Sequence, residues 1–299
     1  MNLLKPMVTI GVCVRNCEST IEDAIKSIMA QDYPHKLIEV IFVDDGSTDR
    51  TLTIIKEYAA KMDMKVKIFH HRWRGLGYSR NVVVKNASGK YIIWVDGDMI
   101  LTKNHVRTQV EFMEAHKEVG VGKGQYALYT TSSLVAYLEN ISAIMGLKNS
   151  EVEIAYNPLG TGGSIYRVRA LKEVGSFDEA VKGVGEDMDA ELRMLRGGWK
   201  LCVTSAAFYE RRRESWRELW REYFWHGYGG SSIKTEIKQS RNILYKMFPL
   251  FAILASTSQA INAYKKIYEK KVFLLPFHWF FKRTAWLIGF LKGLINGRF

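Results

Sequence analysis

The sequence predicts an α/β fold, with a mainly parallel mixed sheet flanked by helices and an amphipathic helical extension at the C-terminus. Strand-like apolar runs alternate with helix-like segments along roughly the first 120 residues, which is typical of a parallel sheet with right-handed crossovers. Two of these runs end in carboxylates, and the excess positive charge lies near the C-terminus. With 299 residues and 47% hydrophobic content, the chain can bury a core of this size.

The predicted elements follow one another from residue 8 onward. Residues 8–14 and 38–43 are mainly apolar runs and are predicted strands. Between them, the S-x-x-E pattern at residues 19–22 predicts a capping box that opens a helix ending near Ala30. Apolar residues recur at helical spacing over residues 52–62. The further elements predicted in this half are a strand at 66–69, a helix at 79–87, a strand at 92–95 and a helix at 106–116.

Carboxylates follow the second and the fourth predicted strands. The first group is DDGSTD at residues 44–49, and the second is DGD at residues 96–98. Asp49 is a candidate N-cap for the next helix, whereas Asp44 and Asp45 have no evident task in the local backbone. Open α/β sheets bind ligands at the carboxyl ends of their strands, and carboxylate oxygens suit a divalent cation. The sequence therefore predicts a metal and a phosphate-bearing ligand at this edge of the sheet.

The cysteines and the N-terminal residues favour a reducing compartment. Cys13, Cys17 and Cys202 are too few for a disulfide framework, and their spacing is not that of a zinc site. Lys5 and Pro6 interrupt the first apolar stretch, so we expect no signal peptide there. These features predict that the large domain lies in the cytoplasm.

Charge is distributed unevenly along the chain. Residues 1–200 carry 26 Lys+Arg and 25 Asp+Glu, whereas residues 201–299 carry 17 and 6, a net charge of +11. Five of the eight tryptophans lie in the same C-terminal part. Basic residues beside aromatic and apolar runs favour an anionic membrane surface as a partner.

The C-terminal segment is expected to lie on a membrane rather than to span it. Its longest uncharged run, residues 247–264, is shorter than the roughly 20 apolar residues that a spanning helix needs, and it contains several polar side chains. A soluble helical subdomain with a solvated basic face is the alternative. A nucleic-acid surface is a third interpretation, which the long apolar runs disfavour.

Seven motifs occur in order along residues 7–230. They are the run from residue 8 to 18, DDGSTD at 44–49, SRN at 79–81, DGD at 96–98, GGSIYR at 162–167, VGSFDE at 174–179 and GEDMD at 185–189. Together they resemble a family 2 glycosyltransferase with the GT-A fold. The resemblance implies a metal-dependent, inverting enzyme that uses a nucleotide sugar, and the basic tail adds the expectation that it is membrane-associated.

The resemblance implies roles for the residues of the donor half. Asp45 would accept a hydrogen bond from the nucleobase, Arg80 would lie near the same nucleotide, and Asp96 would contact the ribose. Asp98 would ligate Mn²⁺ or Mg²⁺, which in turn holds the diphosphate. Arg15 stands near the position where the family has an aromatic residue, and it either contacts the nucleotide or is a solvated loop residue.

On the acceptor side the resemblance implies that Asp187 is the general base that deprotonates an acceptor hydroxyl. Gly163 and Glu186 belong to the same side, although Glu186 or Asp189 could instead cap the helix that begins there. Arg212 is a candidate contact for a pyrophosphate or a lipid phosphate.

The implied reaction moves one sugar from a nucleotide diphosphate to a hydroxyl of a membrane-held lipid-linked or glycan acceptor. A UDP-sugar is the favoured donor and a GDP-sugar the second option, with no nucleic acid as partner. A polyprenyl (dolichyl) phosphate hexosyl synthase is the alternative, and a non-catalytic membrane-binding protein comes below it. The Q-x-x-R-W signature of processive synthases is absent, which disfavours long-chain synthesis.

The predicted division of the chain follows from these motifs. Residues 1–230 form the catalytic domain, with the nucleotide-sugar half at about 1–118 and the acceptor half at 119–230. Residues 231–299 form a basic, aromatic helical tail. We expect this tail to hold the enzyme at the cytoplasmic face of the membrane as a peripheral or monotopic protein.

Overall fold

A computed structural model describes residues 7–129, 131–145, 153–181, 184–230 and 248–296. Two compact units are present. The first unit contains the described residues up to Ala127, those from 153 to Ala180, and Glu186–Glu210. The second contains the described residues from Leu128 to 145, from Val181 to Gly185, and from Arg211 onward. Residues 231–247 lie outside the described residues, so the domain boundary at 230 stays a prediction.

The first unit is built on a mixed sheet, and its strands agree with the predicted alternation. In chain order the strands are β1 (Val8–Val14), β2 (Ile38–Asp44), β3 (Lys65–His70), β4 (Tyr91–Trp94), β5 (Met99–Leu101), β6 (Val119–Tyr126), β7 (Glu153–Ala155), β8 (Ser164–Arg167) and β9 (Lys200–Glu210). Their order across the sheet is β3-β2-β1-β4-β8-β6-β9-β5, with β7 also paired to β9.

Strand direction changes between the two halves of this sheet. Strands β1 to β4 are mutually parallel, so the carboxyl ends of β1, β2 and β4 meet at one edge. Strand β8 is antiparallel to its neighbours β4 and β6, whereas β6 and β9 are parallel. The mainly parallel half therefore gathers the residues that follow β2 and β4 at one place.

Helices cover both faces of the sheet in the first unit. In chain order the α-helices of both units, within the described residues, are α1 (Ile21–Met29), α2 (Thr51–Ala59), α3 (Leu76–Asn86), α4 (His105–Ala115), α5 (Leu134–Met145), α6 (Val168–Glu173), α7 (Glu186–Arg196), α8 (Trp216–Gly230), α9 (Pro249–Ile267) and α10 (Leu275–Asn296). Every residue of β2 is buried; Val40 and Phe42 belong to one apolar cluster, and Ile41 and Val43 to the other. Burial on both faces explains why the strands read as continuous apolar runs rather than alternating ones.

The capping box predicted at residues 19–22 is wrong. Helix α1 has Thr20 as its N-cap, and no side chain caps its end. The backbone N–H groups of residues 20 and 21 already donate to the carbonyl of Cys17. The carboxylate of Glu22 instead accepts a hydrogen bond from the hydroxyl of Tyr58, at 2.6 Å.

The second unit packs helices α5, α8, α9 and α10 together. Two glycines allow close approach of α8 and α10, because a Cβ on Gly227 would overlap the carbonyl oxygen of Trp286 and one on Gly289 would overlap that of Phe224. Within the described helices, none is both long and apolar enough to cross a membrane.

A buried ion pair joins α5 to α10 in the second unit. The Nζ of Lys282 lies 2.6 Å from a carboxylate oxygen of Glu139, and the hydroxyl of Tyr223 donates to the other oxygen at 3.1 Å. Burial lowers the pKa of Lys282, although the carboxylate of Glu139 opposes that shift. Removal of one partner would leave an uncompensated buried charge, so the pair constrains how these helices pack.

Candidate active site

Acidic side chains gather at the carboxyl edge of the parallel strands. Asp45 follows β2 directly, and Asp96 and Asp98 follow β4. Asp45 is buried, whereas Asp96 and Asp98 are half-buried and reach solvent. Strands β2 and β4 both pair with β1, so the structure brings the two predicted acidic groups to one edge.

Asp45 holds the loop that leads into α3. Its carboxylate accepts hydrogen bonds from the backbone N–H groups of Arg74, at 2.7 Å, and Gly75, at 2.9 Å. Asp44 accepts from the N–H of Ser47 and from the imidazole of His70, each at 2.9 Å. The expectation of no task in the local backbone is therefore wrong for Asp44, which accepts from an N–H three residues later. The backbone partners of Asp45 are distant in sequence, because the loop after β3 folds back onto the end of β2.

Basic and aromatic side chains flank this loop. The guanidinium of Arg15 lies 5.6 Å from the centroid of the Trp73 ring, and that of Arg74 lies 3.7 Å from the centroid of Tyr78. Arg15 and Trp73 are both exposed. An exposed aromatic face beside cations can stack on a planar base. Contact between Arg15 and the nucleotide stays a prediction.

Asp96 sits in a strongly charged environment. Burial raises the pKa of its carboxyl; the guanidinium of Arg80 opposes this shift, and the carboxylate of Asp98 adds to it. The residue between the two acids must be glycine, because a Cβ on Gly97 would lie 2.9 Å from the sulfur of Cys17. The D-G-D turn therefore brings two carboxylates into electrostatic contact at the strand end.

A divalent cation fits the chemistry of this pair. Two neighbouring carboxylates repel, and a cation relieves that repulsion while taking its other ligands from water and substrate phosphate. The described residues contain no group of three or more acidic, histidine or cysteine side chains that could hold a metal by themselves. The donor set thus suits Mg²⁺ or Mn²⁺, which need few protein ligands, better than a structural metal.

Asp187 lies in the first turn of α7, on the side where the loop after β7 passes. One carboxylate oxygen accepts from both the backbone N–H and the hydroxyl of Thr161, each at 3.1 Å, and the other accepts from the N–H of Met188 at 2.8 Å. Burial would raise the pKa of Asp187, but the charge of Arg80 and these hydrogen bonds outweigh it and hold the pKa below its usual value. Asp187 is therefore ionised and oriented, with 19% of its side chain exposed.

Arg80 and Glu186 form a buried ion pair beneath Asp187. The guanidinium of Arg80 donates to the carboxylate of Glu186 and lies 3.9 Å from that of Asp187. Only about 5% of Arg80 and 1% of Glu186 is exposed, so neither side chain presents itself to bulk solvent. Arg80 therefore links α3 to the start of α7. The contact of Arg80 with the nucleotide stays a prediction, and so does the contact of Glu186 with the acceptor.

Gly163 directly precedes β8, the strand that lies between β4 and β6, and its backbone conformation favours glycine. Its φ is +67°, and a Cβ there would overlap the ring of Phe208. Its N–H donates to the carbonyl of Trp94 at 3.0 Å. The positive φ and the close approach of Phe208 explain why this position is a glycine. The assignment of Gly163 to the acceptor side stays a prediction.

Three polar residues of this site had not been singled out from the sequence. The ammonium of Lys123 donates to the carbonyls of Gly160 and Gly162, and its charge lowers the pKa of Asp96. Thr161 orients Asp187, and Glu191 supports the same loop. A lysine inside the apolar run of β6 was the one signal in the sequence, because buried lysines are rare unless they are paired.

Glu191 lies one helical turn after Asp187 and is fully buried. Its carboxylate accepts hydrogen bonds from the hydroxyl of Tyr166 and from the backbone N–H groups of Leu159 and Gly160. Burial and the neighbouring charge of Asp187 raise the pKa of Glu191 to about 7, although these hydrogen bonds favour the ionised form. Glu191 thus fixes the loop that carries Thr161.

We expect Glu191→Gln to remove a pH dependence of stability. The folded-state pKa of about 7 lies above the ordinary value of 4.5, so the folded state binds more protons than the unfolded state between these two pH values. The free energy of unfolding of the wild type therefore falls as pH rises through this range. Relative to wild type, the variant should gain at most about 3 kcal/mol between about pH 5 and pH 7.5. Urea unfolding at both pH values measures this, and a pH-independent difference would contradict it.

Arg212 belongs to the second unit. Burial is the main cause of the lowered pKa of Lys282, and the Glu139 carboxylate opposes it. The positive charge of Arg212 adds a smaller lowering. The predicted contact of Arg212 with a pyrophosphate or lipid phosphate stays a prediction.

The fold and the site together define a glycosyltransferase. Residues 9–175 match the family model described as Glycosyl transferase family 2, and the chain belongs to that family. It is 36% identical over 202 residues to the poly(ribitol-phosphate) beta-N-acetylglucosaminyltransferase TarS of Staphylococcus aureus, covering 67% of this chain and 34% of TarS. It is 30% identical over 212 residues to the putative glycosyltransferase EpsE of Bacillus subtilis, covering 70% of this chain and 74% of EpsE. The chain thus spans about a third of the length of TarS.

Solved structures share the fold. The mannosyltransferase PcManGT of Pyrobaculum calidifontis, in complex with GDP-Man and Mn²⁺, superposes with a TM-score of 0.71 at 17% identity, covering 98% of this chain and 88% of that one. Residues 1–349 of S. aureus TarS, in complex with UDP-GlcNAc, superpose with a TM-score of 0.56 at 21% identity, covering 98% and 91%. The predicted GT-A fold with C-terminal helices is confirmed.

Proposed function

We propose that this glycosyltransferase moves one sugar from a nucleotide diphosphate to a hydroxyl group of a membrane-held lipid-linked or glycan acceptor, with inversion at the anomeric carbon. The observation that carries the proposal is the ionised Asp187, which Thr161 orients at the end of the sheet that also bears Asp96 and Asp98. A positioned carboxylate of this kind is what deprotonation of a hydroxyl requires.

The donor is proposed to lie over the carboxyl ends of β1, β2 and β4. Asp45 holds the loop beside the nucleobase, Asp96 receives the ribose, and Arg15 and Trp73 flank the base. A UDP-sugar is favoured and a GDP-sugar is the second option. TarS is named for acetylglucosaminyl transfer and is solved with UDP-GlcNAc, and PcManGT is solved with GDP-Man.

In the proposed reaction Asp187 takes the proton of the acceptor hydroxyl. The hydroxyl oxygen forms a bond to the anomeric carbon, the bond from that carbon to the diphosphate oxygen breaks, and the diphosphate leaves with the bonding electrons. Arg80 keeps Asp187 ionised before transfer, because its guanidinium lies 3.9 Å away in a buried environment. A single displacement of this kind inverts the configuration.

Asp98 is proposed to hold Mn²⁺ or Mg²⁺, with Asp96 beside it. When bound, the cation supplies positive charge next to the leaving diphosphate. Support comes from the paired carboxylates of the D-G-D turn and from the Mn²⁺ in the PcManGT complex.

We further propose that the second unit rests on the cytoplasmic face of a membrane. Helix α9 exposes Leu250, Leu254 and Ile261 at helical spacing, with 64%, 71% and 45% of each residue accessible. Helix α10 exposes Phe277, Ile288, Leu291 and Ile295 among other apolar residues. Seven Lys or Arg residues against one Glu within residues 248–296 complement an anionic lipid surface.

A donor screen tests the proposed activity. Purified protein with Mn²⁺ is incubated with a panel of UDP- and GDP-sugars, and the nucleoside diphosphate released is measured with and without a lipid extract. We expect one donor to be turned over, faster with the extract. Release from no donor under any condition would support the non-catalytic alternative.

The acceptor class separates the proposal from its alternative. A polyprenyl phosphate is already an anion and needs no base, so its glycosylation would not depend on Asp187. Transfer to a hydroxyl depends on that residue.

A further inference from the structure

A cleft of about 500 Å³ opens in the second unit beside α9. We call it the α9 cleft; its polar lining residues are Ser258, Gln259, Asn262, Lys265 and Lys266 of α9 and Trp279 of α10. Its volume lies within the range of small-molecule sites, which is about 300–1,000 Å³. Residues of the catalytic site do not line it.

Two buried polar atoms of the α9 cleft lack partners within the described part of the chain. The amide nitrogen of Gln259 donates to the carbonyl of Ser142 at 3.0 Å, which leaves its Oε1 buried without a donor among the described residues. The indole Nε1 of Trp279 is likewise buried without an acceptor among them. Buried polar groups are normally paired, so a ligand with both donor and acceptor groups would complete this site.

The α9 cleft is also cationic. Neither Lys265 nor Lys266 forms an ion pair with any carboxylate that the structure describes. The Lys282 and Arg283 side chains lie over the Trp279 ring, at 5.1 and 5.2 Å from its centroid, and Glu139 compensates the charge of Lys282. An anionic group is therefore favoured, and phosphate oxygens accept hydrogen bonds from ammonium and indole donors alike.

We propose that the α9 cleft binds a phosphate ester that carries hydroxyl groups, the chemistry of a glycerol phosphate. The phosphate meets Lys265, Lys266 and the indole N–H of Trp279, and a hydroxyl of the ligand donates to Oε1 of Gln259. This ligand is either a phospholipid headgroup or a soluble polyol phosphate. The inference does not depend on the proposed reaction, because it concerns binding without a nucleotide sugar.

Vesicle flotation of the full chain, without nucleotide, tests the proposal. Phosphatidylcholine vesicles contain either phosphatidylglycerol or phosphatidylethanol, which has the same charge but no hydroxyl group. We expect several-fold tighter binding to phosphatidylglycerol and loss of that preference in Gln259→Leu. Lys265→Gln/Lys266→Gln should weaken binding to phosphatidylglycerol about tenfold or more.

Lys270→Gln/Lys271→Gln is the matched control, since these lysines follow α9 but do not line the cleft. It removes the same charge and should weaken binding to both lipids equally and by less. Calorimetric titration with sn-glycerol 3-phosphate distinguishes the source: binding that is lost in Lys265→Gln/Lys266→Gln assigns a soluble ligand, and binding to vesicles alone assigns a headgroup. Equal wild-type affinity for the two lipids without glycerol phosphate binding, or a control as damaging as the cleft variant, would overturn the proposal.

Discussion

Replacement of Asp187 by Asn is expected to lower kcat for transfer to a hydroxyl acceptor by about 10²- to 10⁴-fold, which is the usual contribution of a general base. Asparagine has the same shape and can still accept the hydrogen bonds from Thr161. Arg80 keeps its buried partner Glu186 in the variant, so the fold should be retained. The KM for the donor should change little, because Asp187 is assigned to proton transfer rather than to nucleotide binding.

Asp189→Asn is the matched control for this variant. Asp189 is on the same helix and pairs with Arg193 at 2.7 Å, and it has no assigned part in the reaction. We expect its kcat to stay within a few-fold of wild type, and melting temperatures of both variants verify folding. Near-intact activity of Asp187→Asn would exclude the hydroxyl acceptor and favour a phosphate acceptor.

The pH profile adds an independent check on Asp187. Its pKa is held below the ordinary aspartate value, so the base-competent ionised form persists as pH falls and is lost only when pH falls through that lowered pKa. We therefore expect protonation of Asp187 to cause no fall in kcat at or above the ordinary pKa of aspartate. Such a limb, present in wild type and absent in Asp187→Asn, would contradict the assigned electrostatics.

Replacement of Asp98 by Asn is expected to weaken strongly the enhancement of nucleoside diphosphate binding by Mn²⁺. Loss of a carboxylate ligand weakens a site that has few protein ligands to begin with. In wild type we expect Mn²⁺ to tighten binding of the diphosphate, and in the variant this enhancement should fall by at least about tenfold, which is 1.4 kcal/mol. Calorimetric titration with and without Mn²⁺ measures it directly and does not require turnover.

Asp63→Asn provides the control for that titration. Asp63 is an exposed aspartate that contacts His35, so the variant changes the net charge equally without touching the strand ends. Its Mn²⁺ enhancement should equal that of wild type. An unchanged enhancement in Asp98→Asn would remove Asp98 from the metal site, and Asp96→Asn would then be the next variant to titrate.

The sequence predicted local features of this fold well. Strand β1 has the predicted bounds of 8–14, and β3, β4 and α4 lie within one residue of their predicted ends. Strands β1 and β4 are strongly apolar and α4 is periodic, so their own residues decide them. The acidic groups after β2 and β4 were also expected at one edge, because neighbouring parallel strands end together.

Contacts between distant segments of the chain were not predicted. Asp45 holds N–H groups 29 and 30 residues later, and Thr161 reaches Asp187 across 26 residues. Glu191 meets the N–H of Leu159 across 32 residues. The capping box at residues 19–22 failed for a local reason, because the carbonyl of Cys17 accepts the N–H groups of residues 20 and 21 in a turn just before α1.

The stereochemistry of the product tests the central proposal most directly. The wild-type enzyme is given the α-linked nucleotide sugar identified by the donor screen, and the linkage of the isolated product is read from the anomeric ¹H coupling constant by NMR. A single displacement with Asp187 as base predicts a β-linked product on an acceptor hydroxyl. A product that retains the α configuration would contradict it.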